Sequence, residues 1–424
     1  MAPMVRAFRR GRGNAVPAAT LHRFGGLPLP VSPLPRFVVL YSALFAAYGV
    51  ASPFLPALLE QRGLDPSAIG LVLGLGSAVR LLTGPLGGRL ADRPGAARTV
   101  LAAGLAAAAV IAMGYAPARS LLPLALVSVA HAAVLAPLAP VADALALGTA
   151  ERPGGFPYGW VRGAGSAAFI LGSVAAGQAV GWAGLGVIIW LNAALLAVSA
   201  ATALRVPNNP AGRQPARSGP VQPGGSVRDL LRLPMFARLM LVAALVGGSH
   251  ALHDGFEVIR WRSAGIGPGA AGILWGESVA AEVLVFFVLG GPLLDRLGPG
   301  GAAMLCAGSG VVRWATVAQT AALPAMALVE PLHGFTFALL HLTCVRMIAR
   351  VVPVQFSATA QAFYGTVAVG AASTALTLAS GPLYGWLGAS AFWAMAALCA
   401  AALPVAYGLR TPASETVPAA AGNP

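Results

Sequence analysis

Apolar residues lie along this chain in long, nearly unbroken runs, separated by short segments of arginine, glycine, proline and acid. A helix needs about 20 mostly apolar residues to cross a bilayer. That window fits twelve runs, at 37–58, 67–90, 98–116, 121–147, 159–181 and 184–204, then 236–259, 269–294, 301–320, 323–349, 358–385 and 389–409. The pattern predicts an all-α integral membrane protein of twelve transmembrane helices. Glycine and proline inside the runs do not count against helices there, because neighbouring helices can satisfy freed backbone groups. Small residues, as in Gly70-Leu71-Val72-Leu73-Gly74, allow helices to pack closely.

The runs fall into two sets of six, and a motif ties the sets together. Gly88-Arg89-Leu90-Ala91-Asp92-Arg93-Pro94-Gly95 follows the second run, and Gly291-Pro292-Leu293-Leu294-Asp295-Arg296-Leu297-Gly298 follows the eighth. Both read Gly-x-Leu-apolar-Asp-Arg-x-Gly. Pro66, Ile69 and Gly70 precede the first copy much as Pro268, Ala271 and Gly272 precede the second. A duplicated half predicts two pseudo-symmetric six-helix bundles, over 37–204 and 236–409, the build of a two-halved membrane transporter. Gly88, Asp92, Arg93, Gly291, Asp295 and Arg296 are then candidates for conformational gating. The acid can accept from a helix N-terminus or pair with an arginine, and the glycines permit close approach.

Composition sets the solvent. The chain is 57% hydrophobic and 9% charged, with mean hydropathy +0.77, which excludes an ordinary soluble fold of this length. A net charge of +14 would suggest nucleic acid in a soluble protein. Here the arginines sit between apolar runs, so topology explains them and no nucleic-acid partner is expected. The N-terminal stretch 1–36, the Pro/Gly-rich stretch 205–235, the tail 410–424 and both Asp-Arg turns would share one side. The other side has few arginines: Arg62, Arg119, Arg260 and Arg262. The positive-inside rule then makes both termini and the linker between the halves cytoplasmic, in a bacterial inner membrane. No cleavable signal pattern precedes the first run. Cys306, Cys344 and Cys399 lie apart inside apolar runs and suggest neither a disulfide framework nor a metal site.

Twelve runs in two related halves, a basic linker and the duplicated turn resemble the major facilitator superfamily over about residues 37–409. Pro140-Val141-Ala142-Asp143, Tyr158-Gly159-Trp160-Val161-Arg162-Gly163-Ala164-Gly165-Ser166 and Leu332-His333-Gly334-Phe335-Thr336-Phe337 resemble the fourth, fifth and tenth helices of its proton-coupled oligosaccharide and nucleoside symporters. The combined pattern is most similar to the phenylpropionate permease branch. That resemblance implies substrate binding at Asp143 and Arg162 and a place in proton coupling for Arg313 and His333. It also implies a carboxylate three residues after the histidine, where this chain has Thr336.

A charge inside a bilayer is costly enough to suggest function until a partner explains it. Asp143 and Arg162 can pair across a loop, or face a cavity and bind a polar or anionic group. Arg80 and Arg313 lie inside runs, each either neutralising a substrate carboxylate or pairing with a buried acid. Tyr48, with Tyr41, Phe169 and Tyr364, either stacks on an aromatic substrate or packs. Glu330 and His333 share a helix face and with Arg313 could form a proton relay, Glu330 and Glu282 being the leading carriers. Glu277 and Glu282, five apart, cannot point the same way. His250, His253, Asp254 and Glu257 sit near the outer end of their run, where an exposed mouth is one reading. Their spacing superficially suits a metal, but no third ligand helix is evident and none is expected. His341 reads as a satisfied interior histidine. Trp182, Trp386 and Trp393 fit the interfacial belt.

The expected function is secondary active transport by alternating access, with proton symport, and the branch resemblance implies a small organic anion such as an arylpropionate as the substrate. The expected partners are that substrate, protons and the bilayer. The protein is expected to act as a monomer and to need no cofactor. Nucleoside or oligosaccharide symport is the alternative within the class, and a non-transporting receptor or assembly factor on the same fold is the alternative outside it. Neither a Walker motif nor a His-Glu-x-x-His or nucleophile-elbow pattern suggests an enzyme.

Overall fold

A computed structural model describes residues 32–208, 230–353 and 356–410. Most of the expected basic tail (1–36), linker (205–235) and C-terminal tail (410–424) therefore lies outside the described residues.

Among the described residues the regular structure is helical throughout. The first part holds α1 (Leu34–Ala51), α2 (Leu55–Gln61), α3 (Pro66–Ala91), α4 (Ala97–Met113), α5 (Leu121–Leu135), α6 (Leu138–Ala150), α7 (Tyr158–Ala183) and α8 (Val187–Ala203). The second holds α9 (Pro234–Gly248), α10 (Ala251–Ser263), α11 (Pro268–Leu284), α12 (Gly290–Gln319), α13 (Leu323–Val329), α14 (Leu340–Val351), α15 (Ser357–Phe363), α16 (Ala372–Leu387) and α17 (Phe392–Tyr407). Eight stretches are long and apolar enough to cross a membrane, and α4 and α8 are shorter apolar helices. Two of the eight, Pro268–Gln319 and Thr359–Tyr407, run for 52 and 49 residues, about twice what one crossing needs. The chain turns inside each of them, at Gly298 and at Gly388.

Six of the expected helices are broken, the eighth and eleventh by π segments at Val285–Leu289 and Tyr364–Ala371. The first starts earlier than expected, at Leu34, with Pro35 in its opening turn, and splits into α1 and α2 around Pro53. The fourth splits into α5 and α6 at Ala136–Pro137, where proline donates no hydrogen bond. The seventh splits after Gly247-Gly248, where the Ser249 hydroxyl donates back to the Val246 carbonyl at 2.7 Å. The tenth is interrupted at Pro331 by a 3₁₀ turn (Glu330–Leu332) and a π turn (Gly334–Leu339). Interruptions of these kinds mark functional places in helices.

The duplication is written into the backbone. Gly95 (φ 74°) and Gly298 (φ 65°) close the two Asp-Arg turns in the left-handed region, which explains the last glycine of each motif. Gly63 (φ 86°) and Gly265 (φ 88°) make the turns that lead to Pro66 and Pro268.

At that same end the two sets of helices meet most closely. Helix α3 packs on α16, and α11 packs on α7. A Cβ on Gly70 would lie 2.6 Å from the Gly381 Cα, and one on Gly272 would lie 2.5 Å from the Ser173 carbonyl oxygen. The Glu60 carboxylate accepts from Arg262 at 3.2 Å between α2 and α10, an exposed pair worth at most about 1 kcal/mol. Backbone contact through glycine is thus the stronger closure. Gly272→Leu is expected to force these ends apart. A cysteine replacing Ser67 would then react several-fold faster with an impermeant maleimide; an unchanged rate would mean that the glycine contact does not hold the ends together.

Candidate functional site

Broken and continuous helices share the polar side chains. In the first half Asp143 lies on α6, Tyr41 and Tyr48 on α1, Tyr158 and Arg162 on α7, and Arg80 on α3. Asp143 accepts hydrogen bonds from the Tyr41 hydroxyl at 2.6 Å and the Tyr158 hydroxyl at 2.7 Å. Of the two readings of Asp143 and Arg162, pairing across the loop is not what the structure shows. Two phenols already hold the carboxylate, and Arg162, one helical turn beyond Tyr158, lies with its guanidinium 4.6 Å from the centre of the Phe45 ring. Its Nη1 is buried with no hydrogen-bond partner among the described residues. The residue as a whole is half-buried, and Glu282 of the second half lies within its electrostatic reach.

Phe45, which sequence reasoning missed, sits between Tyr41 and Tyr48. It stacks on the first at 5.7 Å and meets the second edge-on at 5.6 Å. The signal was available: Tyr41, Phe45 and Tyr48 recur at three- and four-residue spacing along α1. Tyr41 itself holds Asp143 rather than standing free for stacking. Arg80 is exposed, within electrostatic reach of Tyr48.

The second half holds a linear network. Arg313 on α12 is fully buried. Its Nη2 donates to Glu330 Oε2 at 2.7 Å and its Nη1 to His333 Nδ1 at 3.0 Å. Arginine has only donors, so Nδ1 must accept and the His333 ring proton belongs on Nε2. That nitrogen lies 3.6 Å from Glu282 Oε2. The structure therefore brings Glu330, Arg313, His333 and Glu282 into one series. The break at Pro331 produces it, because residues three apart eclipse on a 3₁₀ turn. Gly334 lets the segment lie against α11, where a Cβ would come within 2.6 Å of the Ala281 carbonyl oxygen.

His253 and Glu257 also join this network. The exposed-mouth reading is corrected: Glu257 is 0% and His253 2% exposed. The break at Ser249–His250 starts a new helix, α10, that carries both residues inward. The His253 ring stacks on Trp275 at 4.6 Å, its Nδ1 is 3.0 Å from Asp254 Oδ1 and its Nε2 is 3.6 Å from Glu330 Oε2. Glu330 is the third converging side chain that the sequence did not reveal: one polar atom from each of His253, Glu257 and Glu330 lies within 4.8 Å of the others. The Arg313 guanidinium already occupies Glu330 from the other side. With two carboxylates and one guanidinium the set carries one net negative charge, too little to balance a divalent ion. At Thr336, the hydroxyl lies 3.0 Å from His250 Nε2, so a hydroxyl–imidazole contact stands where the resemblance implied an acid.

Other expectations fall out locally. His341 Nδ1 meets the Tyr364 hydroxyl at 3.2 Å, but only Tyr364 is buried; His341 is exposed, so its reading as an interior histidine is corrected. Glu277 and Glu282 diverge, with only Glu282 reaching His333. Trp182 and Trp386 are 87% and 85% exposed, as suits a lipid interface. In the repeated turns Asp92, Arg93, Asp295 and Arg296 are exposed, and Asp295 pairs with Arg346. A Cβ on Gly88 or Gly291 would meet nothing within 4 Å. The close approach expected of those glycines is absent in this conformation, because the two sets of helices are joined at the opposite end.

Comparison with known proteins agrees with this architecture. The model of the MFS_1 like family matches residues 34–395. A relative from Escherichia coli (strain K12), described as "Probable 3-phenylpropionic acid transporter", is 32% identical over 87% of this chain and 94% of its own length. The maltose permease of Geobacillus stearothermophilus is 28% identical, covering 82% of this chain and 86% of its own. Among solved structures, the nucleoside transporter NupG aligns with a TM-score of 0.74 at 17% identity, over 89% of this chain and 98% of that one. A bacterial homologue of the human lysosomal transporter Spinster, inward-facing and unoccupied, aligns at 0.66 and 16% identity, over 89% and 96%. The relatives and the fold are those of multi-pass membrane transporters of small molecules, and the chain belongs to the MFS_1 like family of the major facilitator superfamily.

Proposed function

We propose that this protein is a proton-coupled symporter of a small organic anion, an arylpropionate. The observation that carries the substrate reading is Arg162: a guanidinium nitrogen without a hydrogen-bond partner among the described residues, on a side chain that lies over Phe45, itself edge-on to Tyr48. A guanidinium holds a carboxylate bidentately, and the aromatic row on α1 suits a phenyl ring. Asp143, fixed by two tyrosines, and Arg80 complete the substrate-facing set. The relative described as a transporter of 3-phenylpropionic acid supports the same substrate class.

In this reading twelve helices form two six-helix bundles, 37–204 and 236–409, and the protein works as a monomer in the bacterial inner membrane. The two 52- and 49-residue stretches each cross twice, and α4 and α8 supply the remaining two crossings. The basic tail (1–36), linker (205–235) and C-terminal tail (410–424) are cytoplasmic, so the end closed by Gly70 and Gly272 is periplasmic and this conformation faces inward. The turns at Gly88, Asp92, Arg93, Gly291, Asp295 and Arg296 act at the cytoplasmic end. There Asp295 and Arg346 lock one half, and the free faces of Gly88 and Gly291 await close approach when the protein turns outward. Glu330, Arg313, His333 and Glu282 form the coupling network, linking the dry core of the second half to the inter-half space. Binding and protonation together shift the population between the two conformations.

Uptake of labelled 3-phenylpropionate into proteoliposomes tests the reading. An inward proton gradient is expected to drive accumulation above equilibrium, and excess unlabelled arylpropionate to compete. Uptake of labelled nucleoside or maltose, with no arylpropionate uptake, would transfer the site to the neutral substrates of the related transporters.

A further inference from the structure

Among the described residues of the second half, Glu257 is the least satisfied acid. It is fully buried, and neither carboxylate oxygen has a hydrogen-bond partner among the described residues. The neighbouring Glu330 is different, since its Oε2 is held by Arg313 at 2.7 Å. A carboxylate fixed by a guanidinium is stabilised in its charged form; a dry carboxylate with no donor is not. From its own helix Glu257 faces His253, Asp254 and Arg260; Arg260 makes no hydrogen bond to it. From the packed elements come Arg313 on α12, Glu330 on the interrupted segment and Tyr384 on α16.

We infer that Glu257 is the carboxylate that takes up and releases the coupled proton, and that Asp254 and His253 deliver it. This rests on the symport reading above and assigns the carrier within it. The geometry supplies a route. Asp254 is 63% exposed and its Oδ1 touches His253 Nδ1 at 3.0 Å, while His253 Nε2 faces the dry carboxylates. A hydronium ion protonates Asp254 and leaves water. The Asp254 O–H proton passes to His253 Nδ1 as the Nε2 proton moves to the Glu257 carboxylate. Asp254 is left ionised, His253 neutral in its other tautomer, and Glu257 neutral. The added proton cancels the one net negative charge of the Glu257, Glu330 and Arg313 set, so the cluster is neutral when loaded. Glu330 is then a positioning residue that holds Arg313 and keeps a fixed negative charge beside the carrier.

Infrared spectroscopy of the purified full-length protein tests this without any substrate. The wild type is expected to show a protonated-carboxyl stretch that shifts in heavy water, is lost at alkaline pH and is absent from Glu257→Gln. Glu330→Gln and Glu282→Gln should retain it. A band that survives Glu257→Gln but vanishes in Glu330→Gln or Glu282→Gln overturns the assignment. So does a wild type with no such band at any pH, or one whose band is removed by sodium at constant pH, which would make the occupant a sodium ion. Should Glu257→Gln not fold, the wild-type and Glu330→Gln spectra still decide. In proteoliposomes Glu257→Gln is expected to keep substrate exchange and lose gradient-driven accumulation. If the wild type moves no arylpropionate, the substrate reading fails, while the infrared result stands or falls by itself.

Discussion

Arg162→Ala is expected to abolish saturable binding of arylpropionate while leaving the protein folded. Losing one partner of a buried, hydrogen-bonded charge pair costs about 2–5 kcal/mol, roughly a 30-fold to several-thousand-fold weaker affinity. The Asp143 site should survive, because Tyr41 and Tyr158 hold that carboxylate without help from Arg162. Thermal stability is expected to stay level or rise, since the substitution removes a half-buried cation whose Nη1 has no hydrogen-bond partner among the described residues. Arg162→Lys should recover little: lysine keeps the charge but loses both the fork that grips a carboxylate and the flat face that lies over Phe45. Calorimetric titration of purified variants with 3-phenylpropionate reads the effect, and wild-type affinity in Arg162→Ala would remove this residue from the site.

Arg313→Ala should act through the opposite route, on stability first. Both Arg313 and Glu330 are 0% exposed, so removing the arginine strands a buried carboxylate, a change that costs about 3–5 kcal/mol. A large drop in melting temperature in detergent is expected. Adding Glu330→Gln to Arg313→Ala should recover part of the loss, because the stranded charge is then gone. Both variants should fail to accumulate substrate, as His333 loses the donor that sets its tautomer. An Arg313→Ala protein that melts like wild type would show that water, rather than arginine, satisfies Glu330.

The sequence carried the helical membrane class clearly, because burial in lipid demands long apolar runs and little else. The repeat was equally legible, since the Gly-x-Leu-apolar-Asp-Arg-x-Gly turn depends on backbone conformations that only glycine adopts readily, seen at Gly95 and Gly298. The grouping of Glu330, His333 and Arg313 was legible too: the first two are three residues apart, and a buried arginine seeks an acid. What the sequence hid were contacts made by helix breaks. Nothing local says that Tyr41 and Tyr158 converge on Asp143 and so release Arg162. Nor does the run 236–259 announce that it breaks at Ser249 and carries Glu257 inward. A continuous helix would have left His253 and Glu257 near the outer mouth. Hydrophobic periodicity reports which residues avoid water, but it does not report how a broken helix turns.

The central claim is that substrate and proton move together. The most direct measurement is the pH outside lightly buffered proteoliposomes on addition of 3-phenylpropionate under anaerobic conditions, with protein-free vesicles subtracted to remove passive entry of the undissociated acid. The account predicts a transient external alkalinisation in the wild type that is lost in Arg162→Ala and in Glu257→Gln. Saturable substrate entry with no protein-dependent proton movement, or with protons moving outward, would contradict it.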